Sequence, residues 1–142
     1  MADDAYNLQR FVEAQAAVFE QARSELAAAR KRSHWMWFIF PQIHGLGTSA
    51  TAQRYAISGL DEARAYLAHP VLGDRLRECT ALVNAIPNAT LETIFGYPDD
   101  LKFHSSITLF AEAASADDGV FAEALQRFFA GKRDAATLDR LD

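Results

Sequence analysis

Six apolar residues stand in an unbroken run from Trp35 to Phe40, inside the stretch SHWMWFIFPQIHGLG that spans Ser33 to Gly47. A run that holds both tryptophans of the chain has to leave water, either as core or against a ligand, because aromatic side chains carry the largest apolar areas. Its residues neither alternate nor fall at helical spacing, so a short buried strand and a helical segment both stay open. Pro41 ends either one, and Gly45 and Gly47 give the following loop the freedom to reverse direction.

The rest of the chain reads as helices. From Leu8 to about Arg32, Leu8, Phe11, Val12, Phe19 and Leu26 recur at helical spacing, which predicts one long amphipathic helix with Arg30, Lys31 and Arg32 in its last turn, where cations complement the helix dipole. Thr48 or Ser49 can cap a short helix carrying Gln53, Arg54 and Tyr55, and Ser58 or Asp61 one through Ala68. That helix must stop before His69-Pro70, since a residue preceding proline is pushed out of helical geometry; His69 is placed to cap the next helix, Val71 to Ile86. Its Leu72, Leu76, Cys79 and Val83 share one face. Thr90 caps a turn ending at Gly96, Pro98 with Asp99 and Asp100 starts a helix to about Ala114, and Val120 to Phe129 form another, stopped by Gly131. A short last helix follows Asp134. The expectation is a mainly α, single-domain bundle over residues 1–142, with five to seven helices and at most a short strand near Trp35 to Phe40.

With 142 residues, half of them hydrophobic, the chain can build one core. A net charge of -5 repels phosphate backbones and anionic membranes, which excludes bulk nucleic-acid and membrane-surface binding while leaving room for a local basic patch. A single cysteine, Cys79, and an acidic, polar N-terminus without a signal-peptide pattern point to the cytoplasm. His34, His44, His69 and His104 have none of the spacings of a zinc motif, and GLGTSA lacks the third glycine of a dinucleotide fingerprint, so no metal and no cofactor are expected.

Two segments carry the candidate chemistry. In the aromatic run, Trp35 and Trp37 can stack on a planar ring, while His34, Gln42 and the loop amides at Gly45, Gly47 and Ser49 can bond its polar remainder. In DDLKFHSSITLF, Phe103, Ile107 and Phe110 form an apolar stripe, and Asp99, Lys102 and Ser106 align on another face. Lys102 can hold a phosphate or carboxylate, with Ser105 and Ser106 donating beside it; alternatively Lys102 pairs with Asp99 and the serines bond back to their own helix. Glu78 and Glu92 are the acid or base candidates, Glu78 because it adjoins the apolar face of its helix, where partial desolvation raises a carboxyl pKa.

Together, SHWMWFIFPQ, GLG, HPVLG, IFG and DLKFHSSITLF resemble a widespread uncharacterised family of small single domains, some of whose members carry the automatic label "calpastatin". The resemblance covers nearly the whole chain and implies a mostly helical fold. A more distant similarity, to the YbiA-like or NADAR group, lies in Ala63 to Glu78 and in Phe95-Gly96. That similarity implies ADP-ribose or NAD-derived ligands and N-glycoside chemistry, although the group's glutamate-histidine-aromatic motif has no counterpart before His34-Trp35.

Two functions follow as expectations. One is a pocket for a small anionic, nucleotide-like ligand, with N-glycosidic cleavage assisted by Glu78. The other is a non-enzymatic interaction module in which the aromatic run is core or interface. Exposed tryptophan beside a cleft favours the first and fully buried indoles the second. Nothing in the sequence sets an oligomeric state.

Overall fold

In the computed structural model, which describes residues 4–141, the chain is mainly α. Ten helices occur among the described residues: α1 (Gln9–Ala16), α2 (Phe19–Ala27), α3 (Met36–Ile39), α4 (Ala50–Arg54), α5 (Leu60–Ala68), α6 (Leu72–Asn84), α7 (Leu91–Phe95), α8 (Asp99–Ala113), α9 (Val120–Phe129) and α10 (Ala135–Leu141). Three of them, α3, α4 and α7, are single turns of four or five residues. The remaining seven form the bundle. The aromatic run is one helical turn, and the extended pairing lies just beyond it, an isolated parallel bridge between Ile43 and Ile57. No helix among the described residues is long and apolar enough to cross a membrane.

Local side-chain chemistry sets several of the helix starts. Ser49 accepts the Ala52 N–H at the start of α4, and Thr90 accepts the Thr93 N–H at the start of α7. His69 Nδ1 accepts the N–H groups of Val71 and Leu72 at 3.1 and 3.3 Å, so the ring caps α6 across the proline turn. Asp134 Oδ2 accepts the Thr137 N–H at 3.1 Å and heads α10.

The expected helix from Leu8 to Arg32 is two helices. It breaks at Ala17 and Val18 because α1 packs on α3 while α2 packs on α6, and one straight rod cannot do both. Nor do Arg30, Lys31 and Arg32 lie in its last turn. The chain leaves α2 at Ala28, where Ala29 takes the left-handed conformation at φ 63°. The Arg30 N–H then bonds the Glu25 carbonyl and the Ala29 N–H the Leu26 carbonyl, both at 3.0 Å, which is the Schellman ending with alanine where glycine is usual.

The core is one cluster to which every long helix except α10 contributes. Its axis is α8, packed on α5, α7, α9 and α10. Residues Ser105 to Phe110 of α8 are all buried, so this helix has no solvated face at its middle. Helices α5 and α6 approach so closely that a Cβ on Gly73 would stand 2.1 Å from the Leu67 carbonyl oxygen. Gly59, by contrast, is extended and open: among the described residues, its chain neighbours aside, nothing comes within 4 Å of where a Cβ would stand. Gly73→Ala is therefore expected to cost about 1–3 kcal/mol through overpacking. Gly59→Ala should stay within about 0.5 kcal/mol of the parent. Urea denaturation of the two variants checks both, and equal losses would contradict the close α5–α6 approach.

Candidate functional site

The site starts from a buried acid that sequence spacing did not single out. Glu25, at 8 % exposure, accepts four hydrogen bonds: to Oε1 from the Arg32 N–H (2.7 Å), the Ser33 N–H (3.1 Å) and the Trp35 indole (2.9 Å), and to Oε2 from the Ser33 hydroxyl (2.6 Å). Burial pushes its carboxyl pKa up, but these donors, the Ser33 hydroxyl foremost, outweigh it and hold the group at about 2. The loop after α2 is thus folded around one carboxylate.

Trp35 pays for that position with its own exposure: at 1 % it is core, packed near Phe40, and no wall of a binding site. Trp37, two residues on, is half-buried and turns the other way. The Nζ of Lys102, from the first turns of α8, lies 5.3 Å from the Trp37 ring centroid and 3.6 Å from Asp99 Oδ1. The other Asp99 oxygen, Oδ2, takes Lys31 Nζ at 2.9 Å. Lys31 is itself fixed, its N–H bonded to the Ile94 carbonyl at 2.7 Å and its ammonium 5.3 Å from the Trp35 ring centroid. Two lysines thus share one aspartate, and the outer of them stands beside a half-buried indole.

Two open hollows share Lys102 and Pro98. One, of about 320 Å³, is lined by Lys31, His34, Trp37, Tyr97 and Asp99. The other, of about 290 Å³, is lined by Gln42, Leu46, Gly47, Leu101, Ser105 and Asp134. Between Trp37, Gln42, Tyr55 and Lys102 lies a slot of only about 10 Å³, room for about one water. The Gln42 wall is pinned by the bridge to Ile57: the Ile57 N–H donates to the Gln42 carbonyl and the His44 N–H to the Ile57 carbonyl, each at 2.9 Å.

Of the residues proposed from sequence, His34, Trp37, Gln42, Gly47, Lys102 and Ser105 line these hollows. Several of the proposed residues are committed to the fold, each for a physical reason. Ser106 is fully buried, because α8 has no solvent face there, and its hydroxyl has no hydrogen-bond partner among the described residues. Ser105 spends its hydroxyl on Asp134 Oδ2 and the Leu101 carbonyl. Ser49 is occupied as the α4 cap. Gly45, at φ 91°, turns the loop under the Arg140 guanidinium, and Gly47 lets it pass close to Ala52. Glu78 is exposed on α6 and paired with Arg23 at 3.2 Å, remote in role from the hollows, so the desolvation that made it a candidate acid is missing. Glu92 is likewise exposed, on α7. Sequence reasoning missed Glu25, Lys31 and Tyr97 as parts of this region. Only Tyr97, an aromatic residue between Gly96 and Pro98, carried a visible signal. Among the described residues no three His, Cys, Asp or Glu side chains are grouped to hold a metal ion.

The sequence profile of a family described as "Protein of unknown function (DUF1810)" matches residues 5–141. The chain belongs to the DUF1810 family. This DUF1810 chain is also similar to a solved structure, the crystal structure at 1.38 Å of the conserved hypothetical protein Rv1873 from Mycobacterium tuberculosis. Identity is 51 %, the TM-score is 0.94, and the match covers 97 % of this chain and 98 % of that one. No curated protein matches it.

The Glu25 carboxyl gives a signed pH dependence. Its pKa in the fold, about 2, lies below the ordinary 4.5, so its contribution to stability is complete above about pH 4.5 and is lost as pH falls toward 2. In thermal unfolding from pH 7 to 2.5, Glu25→Gln should begin less stable than the parent and lose less across that window. Parallel curves would show that Glu25 does not organise the loop.

Proposed function

We propose that the groove between Trp37 and Lys102 binds a small anionic, nucleotide-like molecule. The observation that carries this reading is the Lys102 ammonium held beside the Trp37 ring at the junction of two open hollows. A planar ring laid on Trp37 brings its anionic group to Lys102, whose 3.6 Å contact with Asp99 is loose enough to exchange for a phosphate or carboxylate. Lys31 adds a second, more buried cation, and His34 stands at the rim. The resemblance to the NADAR group supports ADP-ribose or NAD-derived compounds as the first ligands to try, and the lone buried Cys79 suits a cytoplasmic setting.

Cleavage of an N-glycosidic bond in this groove would fall to Asp99 rather than Glu78. Asp99 is the carboxylate beside Trp37, and an anion that draws Lys102 away uncovers its Oδ1 to steady a developing cationic sugar. The rival reading, a non-enzymatic interaction module, draws on the exposure of Tyr97 (77 %) and Leu101 (54 %) around the same groove.

Thermal unfolding against NAD, ADP-ribose, nucleosides and sugar phosphates separates the two. A ligand at one hundred times its dissociation constant adds about 2.7 kcal/mol, enough to raise the midpoint by several degrees. Trp37→Ala and Lys102→Ala, at partly buried positions outside the central core, should stay folded and lose that shift. Flat curves for the parent protein, or equal shifts in both variants, would favour the interaction module.

A further inference from the structure

Tyr97 has the most exposed large apolar side chain among the described residues, 77 % open to solvent, and it takes no part in the hydrophobic core. An aromatic ring left in water contributes nothing to folding. Its backbone is nonetheless well fixed. Gly96 before it sits at φ 78°, a conformation suited to glycine, with its N–H bonded to the Glu92 carbonyl at 2.8 Å and its carbonyl accepting the Asp100 N–H at 2.9 Å. Pro98 after it restricts the chain further. Tyr97 thereby lines, from the turn between α7 and α8, the same 320 Å³ hollow as Trp37, Lys31 and Lys102.

We propose that Tyr97 is the second aromatic wall of this site, closing over a planar ring laid on Trp37 so that the ring is sandwiched and its phosphate meets Lys102 and Lys31. This rests on the groove being a ligand site, and it narrows the ligand class. Two aromatic side chains and two ammonium groups around one hollow match one planar base and one phosphate, which describes a phosphorylated nucleoside, free or as the nucleotide end of a larger molecule. Stacking supplies affinity from both faces of the base, while the two ammonium groups supply charge. A sugar phosphate without a base would use the lysines alone. Tyr97 is a binding residue in this scheme, with no part in bond breaking.

The test is titration of AMP and of ribose 5-phosphate into the parent protein and into Tyr97→Ala, Tyr97→Phe and Lys102→Ala, followed by calorimetry. Loss of one stacking wall should weaken AMP roughly tenfold in Tyr97→Ala. Ribose 5-phosphate should bind Tyr97→Ala as it binds the parent, and Tyr97→Phe should keep the AMP affinity. Lys102→Ala should weaken both compounds. If AMP binding is lost in Lys102→Ala but untouched in Tyr97→Ala, the sandwich is wrong while the groove stands. Equal loss in Tyr97→Phe and Tyr97→Ala would assign the role to the hydroxyl and overturn the stacking. Absence of AMP binding to the parent protein would overturn the groove reading and the sandwich together.

Discussion

The carboxylate of Glu25 is the point on which the aromatic run turns. A buried charge is stable only when its lone pairs are met, and here two backbone N–H groups, one hydroxyl and one indole meet them. Those four donors come from Arg32, Ser33 and Trp35, so a single acid at the end of α2 fixes the path of the chain into α3. Trp35 is held inward just ahead of α3, and Trp37, in the single turn that follows, is only half-buried. One tryptophan completes the core and the other is left at the surface.

The same loop delivers the charge. Lys31 follows from the Schellman ending of α2, is tied through its N–H to Ile94, and reaches Asp99 at the head of α8. Asp99 stands in the first turn of that helix, where the dipole favours an anion, and it shares itself between Lys31 and Lys102. Exposed ion pairs contribute little to stability, but with the Lys31 side chain only 8 % exposed this pair acts mainly by positioning. The line from Glu25 through Lys31 and Asp99 to Lys102 accounts for a cation beside Trp37 in a protein whose net charge is negative.

What the sequence revealed follows the range of the interactions. Ser49, Thr90 and His69 cap helices through atoms two or three residues away, and all three are readable from local chemistry. The end of α2 is not, because Ala29 adopts a left-handed conformation that glycine would have announced. Glu25 and Glu78 both border apolar faces of helices, and only tertiary structure separates the one met by four donors from the one left exposed beside Arg23. Ser106 illustrates the opposite failure. Its spacing aligned it with Lys102, but α8 is enclosed by α5, α7, α9 and α10, so the shared face runs from the groove straight into the core.

The claim that two neighbouring tryptophans hold different posts is open to one direct measurement, the two indole N–H signals of ¹⁵N-labelled protein during titration with AMP. Trp37→Phe identifies which signal belongs to which ring. The account predicts that the Trp37 signal moves with added AMP while the Trp35 signal, locked on Glu25, stays in place. Movement of the Trp35 signal in its stead, or no movement of either, would contradict it.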